Sequence, residues 1–147
     1  MSLGSVRTIL SPSIVLMYNA SGAEISRGMG VEPDPSNFTT LPDIEAEVGT
    51  VTTKVPTIKK SSGASVCCGI AQEDISDDSW GKVCVYGKCK GYVTLDTTTA
   101  AGGCALTSAS DGYFDGSTGS EGIYLLAAIT ATGVSDVVIT GISDTNG

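Results

Sequence analysis

Between residues 82 and 96 the chain alternates with a period of two. The odd positions are Val83, Val85, Gly87, Cys89, Gly91, Val93 and Leu95, all apolar or glycine. The even positions are Lys82, Cys84, Tyr86, Lys88, Lys90, Tyr92, Thr94 and Asp96, mostly polar or amphipathic. Successive side chains of a strand point to opposite faces, so alternation of this length predicts one long β-strand with its odd face toward a core. Gly87 and Gly91 predict places where that strand bends. The even face mixes Lys and Tyr, a combination suited to solvent or to a partner.

Shorter strands are predicted over 51–59, 64–71, 103–107, 112–115, 123–132 and 137–142. Turn-forming runs separate them at 61–63, 77–79, 111–112, 115–116 and 133–136. Leu and Ala in 123–130 also suit a short helix, but the flanking turns and the Val-Val-Ile run that follows favour a hairpin. Many short strands at close spacing predict an all-β fold, a small β-barrel or sandwich. Residues 1–48 read differently. An extended stretch around Pro12 leads to an Asn-Ala-Ser-Gly turn at 19–22, then to a Gly/Pro-rich run over 28–35 and an acidic segment over 41–48. This region is expected to be an extended N-terminal arm, with the β domain occupying 49–147.

Composition agrees with strands. Hydrophobic residues are 41% of the 147, aromatics only 5%, and there are 19 glycines, so the core must come from aliphatic and Cys side chains. The net charge of −8 is unevenly placed. Residues 1–53 carry two arginines against six acids, 54–90 carry six lysines against four acids, and 91–147 carry six acids and no base. An acidic chain with a modest Lys cluster is a poor match for nucleic acid, which rewards concentrated positive charge. No apolar run reaches the ~20 residues of a membrane helix. The first sixteen residues lack a continuous apolar stretch, so cytosolic synthesis is expected.

Candidate chemistry is thin. There is no His, the commonest general base and metal ligand. The five cysteines, Cys67, Cys68, Cys84, Cys89 and Cys104, have no C-x-x-C spacing, and their odd number forbids complete pairing. Strand alternation sends Cys67 and Cys68 to opposite faces, and Cys84 and Cys89 likewise unless a turn at Gly87 intervenes. They read as small buried hydrophobes, with a disulfide or a metal less favoured. Asp96-Thr97-Thr98 resembles an aspartic-protease motif but lacks its following Gly and a second copy. Glu73, Asp74, Asp77 and Asp78 could bind Ca²⁺, but their spacing is not that of an EF-hand and turn capping explains them better. Lysines beside Cys84 and Cys89 could activate a thiol, but no His base accompanies them. The expectation is a non-enzymatic protein with no cofactor and no metal.

One order of features goes further. A β segment, Val66-Cys-Cys-Gly-Ile-Ala-Gln72, leads into Glu73-Asp74-Ile75. Trp80-Gly-Lys-Val-Cys-Val-Tyr-Gly87 and Lys90-Gly-Tyr-Val-Thr-Leu95 follow. An Ala-Gly-Gly-Cys-Ala-Leu-Thr run over 101–107 then precedes Ser110-Asp-Gly-Tyr113. Over roughly 100 residues from Gly49 this order resembles the small capsid decoration, or cement, proteins of tailed phages. The resemblance implies a β-barrel-like domain, a homo-oligomer with a trimer favoured, bound to the major capsid protein on the outer surface of the virion. The task implied is mechanical, many copies bridging neighbouring subunits of a pressurised shell. Neither nucleic acid nor membrane is expected as a partner. Expected contact residues are Lys82, Tyr86, Lys88, Lys90 and Tyr92 on the even face, and Arg7 and Arg27 in the arm, whose guanidinium groups suit carboxylates. The lone Trp80 reads either as an interface anchor or as a core residue. The competing expectation is a tail-fibre, spike or adhesin module that binds a host glycan. No repeat of fixed period marks such a module here.

Overall fold

The computed structural model describes residues 11–38, 56–63, 67–109, 111–117 and 122–140. These form an all-β fold whose only helical pieces, among the described residues, are two 3₁₀ turns, Pro35–Asn37 and Thr99–Ala101. The strands are β1 (Ser13–Asn19), β2 (Gly30–Pro33), β3 (Thr57–Lys60), β4 (Gly69–Ala71), β5 (Ser79–Val93), β6 (Ala105–Ser108), β7 (Phe114–Ser117), β8 (Ile123–Leu125) and β9 (Gly133–Ile139).

They join in one mixed sheet of order β1-β3-β2-β4-β5-β7-β6-β8-β9, with β5 also pairing β1 and β9. The result is not one closed barrel. The pairings instead run in two circuits that share β5, whose first half pairs antiparallel with β1 and β4 and whose second half pairs antiparallel with β9 and meets β7 in parallel at Val93↔Phe114. Residues 82–93 of the expected span thus lie in the longest strand, which begins three residues earlier, at Ser79, and ends at Val93.

Each circuit has its own core. Ile25, Met29, Val31, Ile58, Ala71, Ile75 and Val83 pack together in the first. Cys67, Ile70, Cys84, Cys89, Val93, Leu106, Phe114, Ile123, Leu125, Val137 and Ile139 pack in the second. Phe114 is the largest fully buried side chain, so aliphatic and thiol groups fill most of the remaining volume. Small residues allow close approach: a Cβ on Gly81 would collide with the Ile75 side chain.

Part of the stretch 1–48 adds to the sheet, and one expected turn is corrected. Of the described residues of that stretch, 13–19 and 30–33 lie in β1 and β2. β1 runs beside β5 over its whole length, β2 pairs β3 and β4, and Ile25 and Val31 are fully buried. The Gly/Pro run misled because Gly28 takes φ +89° in a tight turn where a Cβ would strike Tyr92, after which Gly30 and Val31 pair in the sheet. The remaining parts of 1–48, including Arg7, lie outside the described residues. Likewise 133–136, expected as a turn, is the start of β9, because Val134, Ser135 and Asp136 pair with Tyr92, Gly91 and Lys90. Ladder pairing outweighs the local turn preference there. β8 is short and forms an antiparallel hairpin with β9, as the favoured reading of that region expects.

Candidate functional site

The side chains expected to form a partner surface are mostly set by β5, and β5 does not keep one alternation throughout. Ser13 pairs with Tyr86 but Ile14 pairs with Cys84, so Val85 is an extra residue, a β-bulge. Gly87 follows at φ +86°. Val83 and Val85 face the first core, whereas Cys84, Cys89 and Val93 face the second. An even and an odd position on the same side mean that the alternation slips by one at the bulge. The even positions therefore split. Trp80 and Lys82 lie on one side of the strand, and Tyr86, Lys88, Lys90 and Tyr92 on the other.

The second group is partly engaged within the chain. Lys90 Nζ lies 2.7 Å from Asp136 Oδ1 on β9, and Lys90 and Lys88 together hold the Asp136 carboxyl below the usual carboxylate range. Tyr92 stacks on Tyr113 with ring centroids 4.0 Å apart. Tyr86 and Lys88 are exposed. The face thus presents two lysines beside one neutralising aspartate, a milder positive charge than the sequence suggests.

The first group has a different neighbour. Trp80 is 46% exposed and meets Tyr18 of β1 edge-on, with centroids 5.4 Å apart. Leu16, two residues along β1, is 63% exposed, and Ile14 and Val15 are exposed as well. Beside them opens a groove of about 320 Å³ lined by Leu16, Met17, Pro33, Pro56, Thr57, Ile58, Cys68 and Trp80. None of these side chains is charged. An apolar groove rimmed by an exposed Trp and Leu has the chemistry of a protein-docking surface. Trp80 is thus a half-exposed surface aromatic and not a core residue. The contribution of β1 was not singled out in the sequence, although the uncharged run Ile14-Val-Leu-Met17 carries its signal.

The remaining candidates have structural tasks. Asp74 Oδ1 accepts from the Arg27 N–H at 2.8 Å and Asp77 Oδ1 from the Gly22 N–H at 2.8 Å, so two of the four clustered acids tie neighbouring loops together. Buried Asn19 joins the same corner, donating to the carbonyls of Ala23 and Ile75. Arg27 itself sits exposed on that turn. Asp96 accepts from the N–H groups of Thr99 and Thr98, which lower its carboxyl pKa and cap the turn of 3₁₀ helix. The nearly buried Glu32 is held by Lys59 Nζ at 3.7 Å and by the Ser62 hydroxyl at 3.0 Å. No group of three or more His, Cys, Asp or Glu side chains is arranged to hold a metal among the described residues. None of the five cysteines is joined in a disulfide. Cys68, at the groove, has its thiol pKa raised by burial.

No family model matches the chain, and no curated protein matches it. Among solved structures it is similar to the head fiber gp8.5 N base of bacteriophage phi29, with a TM-score of 0.58 and 12% identity. The likeness covers 86% of this chain and 94% of that one. At that identity it is the path of the backbone that the two have in common, and the chain has the fold of a phage head-fiber base.

Proposed function

We propose that this chain is a structural component of a phage virion, seated on the outer surface of the head through contact with the major capsid protein. The observation that carries the reading is the fold likeness to a head-fiber base across nearly the whole of both chains. Its bottom-up support is the surface around Trp80 and Leu16, which offers an uncharged groove and exposed apolar side chains for a partner to cover. In this reading the protein is not an enzyme. It acts as a homo-oligomer, a trimer favoured, and each copy adds binding free energy that must be lost before neighbouring shell subunits part.

A second reading is favoured by the neighbour's being a base: the domain anchors a fiber or adhesin to the head instead of clamping the shell. Both readings require head binding, and they differ in what binding does. The test is co-sedimentation of the purified protein with capsids lacking it, followed by heating of the loaded shells. Saturable binding with a raised rupture temperature supports the clamp. Saturable binding with no change in rupture supports the anchor, to be followed by a screen for glycan binding. No binding across several salt concentrations overturns both.

A further inference from the structure

On one side the circuit around the first core is closed by two residue pairs, Tyr18↔Thr57 and Asn19↔Ile58 of β1 and β3. Along Ser13–Met17 the side of β1 that faces away from β5 therefore has no strand partner among the described residues. Which backbone groups this leaves open follows from β5. The Lys82 carbonyl accepts from the Gln72 N–H at 2.9 Å, on the β4 side, so Lys82 turns its N–H and C=O away from β1. Leu16, opposite Lys82, makes no ladder bond to β5 and turns its own N–H and C=O outward. Ile14 does the same, whereas Val15 and Met17 bond to β5. Tyr18, next in the outward series, is where β3 joins. The apolar groove borders this open edge, since Leu16 and Met17 line it together with Pro56, Thr57 and Ile58. The run Ile14-Val-Leu-Met17 is apolar on both faces, the pattern of a strand enclosed by neighbours, yet Ile14, Val15 and Leu16 are exposed. Such an edge is a template for another chain. One charge stands beside it. Lys82 shares a face with Leu16, is exposed, and has no ion-pair partner among the described residues.

We propose that an extended segment of the head protein adds to β1 as a further strand, bonding to the Ile14 and Leu16 backbone, laying apolar side chains in the groove and setting an Asp or Glu toward Lys82. The proposal rests on the reading of the chain as a head-bound component and names how the head is held. The edge selects this occupant. The outward N–H and C=O groups of Ile14 and Leu16 call for a backbone, and an extended chain presents its own at the matching two-residue repeat of roughly 7 Å. The uncharged groove calls for apolar side chains at alternate positions. The unpaired Lys82 calls for an acid. The added strand would lie two strand spacings from β5, roughly 10 Å, a gap that a Lys and a Glu side chain span together. A second copy joined β1 to β1 fits less well, because β1 itself holds no acid and would leave Lys82 unpaired.

The test is backbone hydrogen exchange of the full chain, free and bound to capsids lacking it, read at single amides by electron-transfer fragmentation. In the free protein the amides of Ile14 and Leu16 should exchange fast, and those of Val15 and Met17, bonded to β5, slowly. Binding should slow Ile14 and Leu16 by roughly tenfold or more. Fast exchange at both in the bound protein would overturn the proposal and leave head binding intact. Slow exchange there in the free protein, the outcome if a second copy or another part of the chain fills the edge, would overturn it too. Absence of saturable binding would overturn the head-bound reading and the proposal with it. Substitutions give a second readout. L16P removes an N–H that β5 does not use, so its thermal midpoint should stay close to that of L16A. It should bind capsids roughly tenfold more weakly than L16A, because the added strand loses a backbone donor. Equal binding by L16P and L16A would mean that Leu16 docks by its side chain alone and would overturn strand addition. K82E should weaken binding roughly tenfold and K82R should not. Unchanged binding by K82E would overturn the acidic partner. The exchange measurement needs no variant, so a substitution that fails to fold does not weaken the result.

Discussion

Replacing Gly87 with Ala tests the joint between the two halves of the sheet. Two costs add at this position. The first is conformational: φ is +86°, and a side chain in the left-handed region costs roughly 1–2 kcal/mol. The second is steric. A Cβ at Gly87 would collide with the Ser11 carbonyl oxygen and come within 3.0 Å of Pro12 Cα, and these are backbone atoms that cannot swing aside as a side-chain tip would. Together they should cost about 2–4 kcal/mol, the upper part coming from displaced backbone. For a domain of this size that lowers the thermal midpoint by roughly 5–15 °C. Two controls separate the terms. Gly22 has nearly the same φ, +87°, and a Cβ added there would meet nothing within 4 Å, so G22A should show the conformational cost alone. Gly133 has an ordinary φ and equally open space, so G133A should be neutral or slightly stabilising. Urea denaturation of the four proteins, with equal slopes required, gives the comparison. If G87A matches G22A, the close approach of Ser11 is not a constraint. If G87A matches the wild type, the reasoning fails altogether.

Three further outcomes are expected. Truncating the fully buried Phe114 to Ala should cost about 3–5 kcal/mol, measured by denaturant titration, since it removes the largest side chain of the second core. Asp136 contributes through a folded-state pKa below its unfolded value, so its contribution is present above the ordinary carboxylate range and lost as pH falls through the folded pKa. The midpoint difference between wild type and D136N should therefore be small and constant near neutrality, should vanish in acid, and should shrink with salt. A difference that grows in acid would contradict the pairing with Lys90. Finally, W80A and L16D should weaken head binding at least tenfold while K88E/K90E has a smaller effect, read by co-sedimentation. The reverse order would move docking to the Tyr86–Tyr92 side.

The strength of the alternation over 82–96 made β5 legible, because half-buried strands write their two faces directly into the sequence. The all-β class was legible for the same reason. The bulge was not. One extra residue at Val85 leaves the periodic pattern intact on either side, and only the pairing with Ser13 and Ile14 reveals the slip. That slip separates Lys82 from the lysines and tyrosines with which it was grouped and leaves it on the side of Trp80. It also turns Cys84 and Cys89 toward the same core, the exception that a turn near Gly87 left open. Residues 28–35 hid a strand because their Gly and Pro are local signals, whereas β2 is held by Lys59, Lys60 and Gly69 far along the chain. The apolar groove arises from β1, β2, β3 and β5 at once, so no single stretch of sequence spells it.

The pairing of β5 with both β1 and β9 has a consequence for how the chain could be re-cut. Ser13 pairs with Tyr86 and Ile139 pairs with Gly87, adjacent residues of one strand. The first and last strands of the described chain therefore finish within about two strand spacings of each other, roughly 10 Å. Topologically the molecule is close to a loop pinned at a single point. A circular permutant that joins these two strands and opens at the exposed Gly103 would keep every strand pair intact. Anything fused ahead of β1 or behind β9 would emerge at the same spot, so cargo could be moved from one side of the chain to the other without changing where it is displayed.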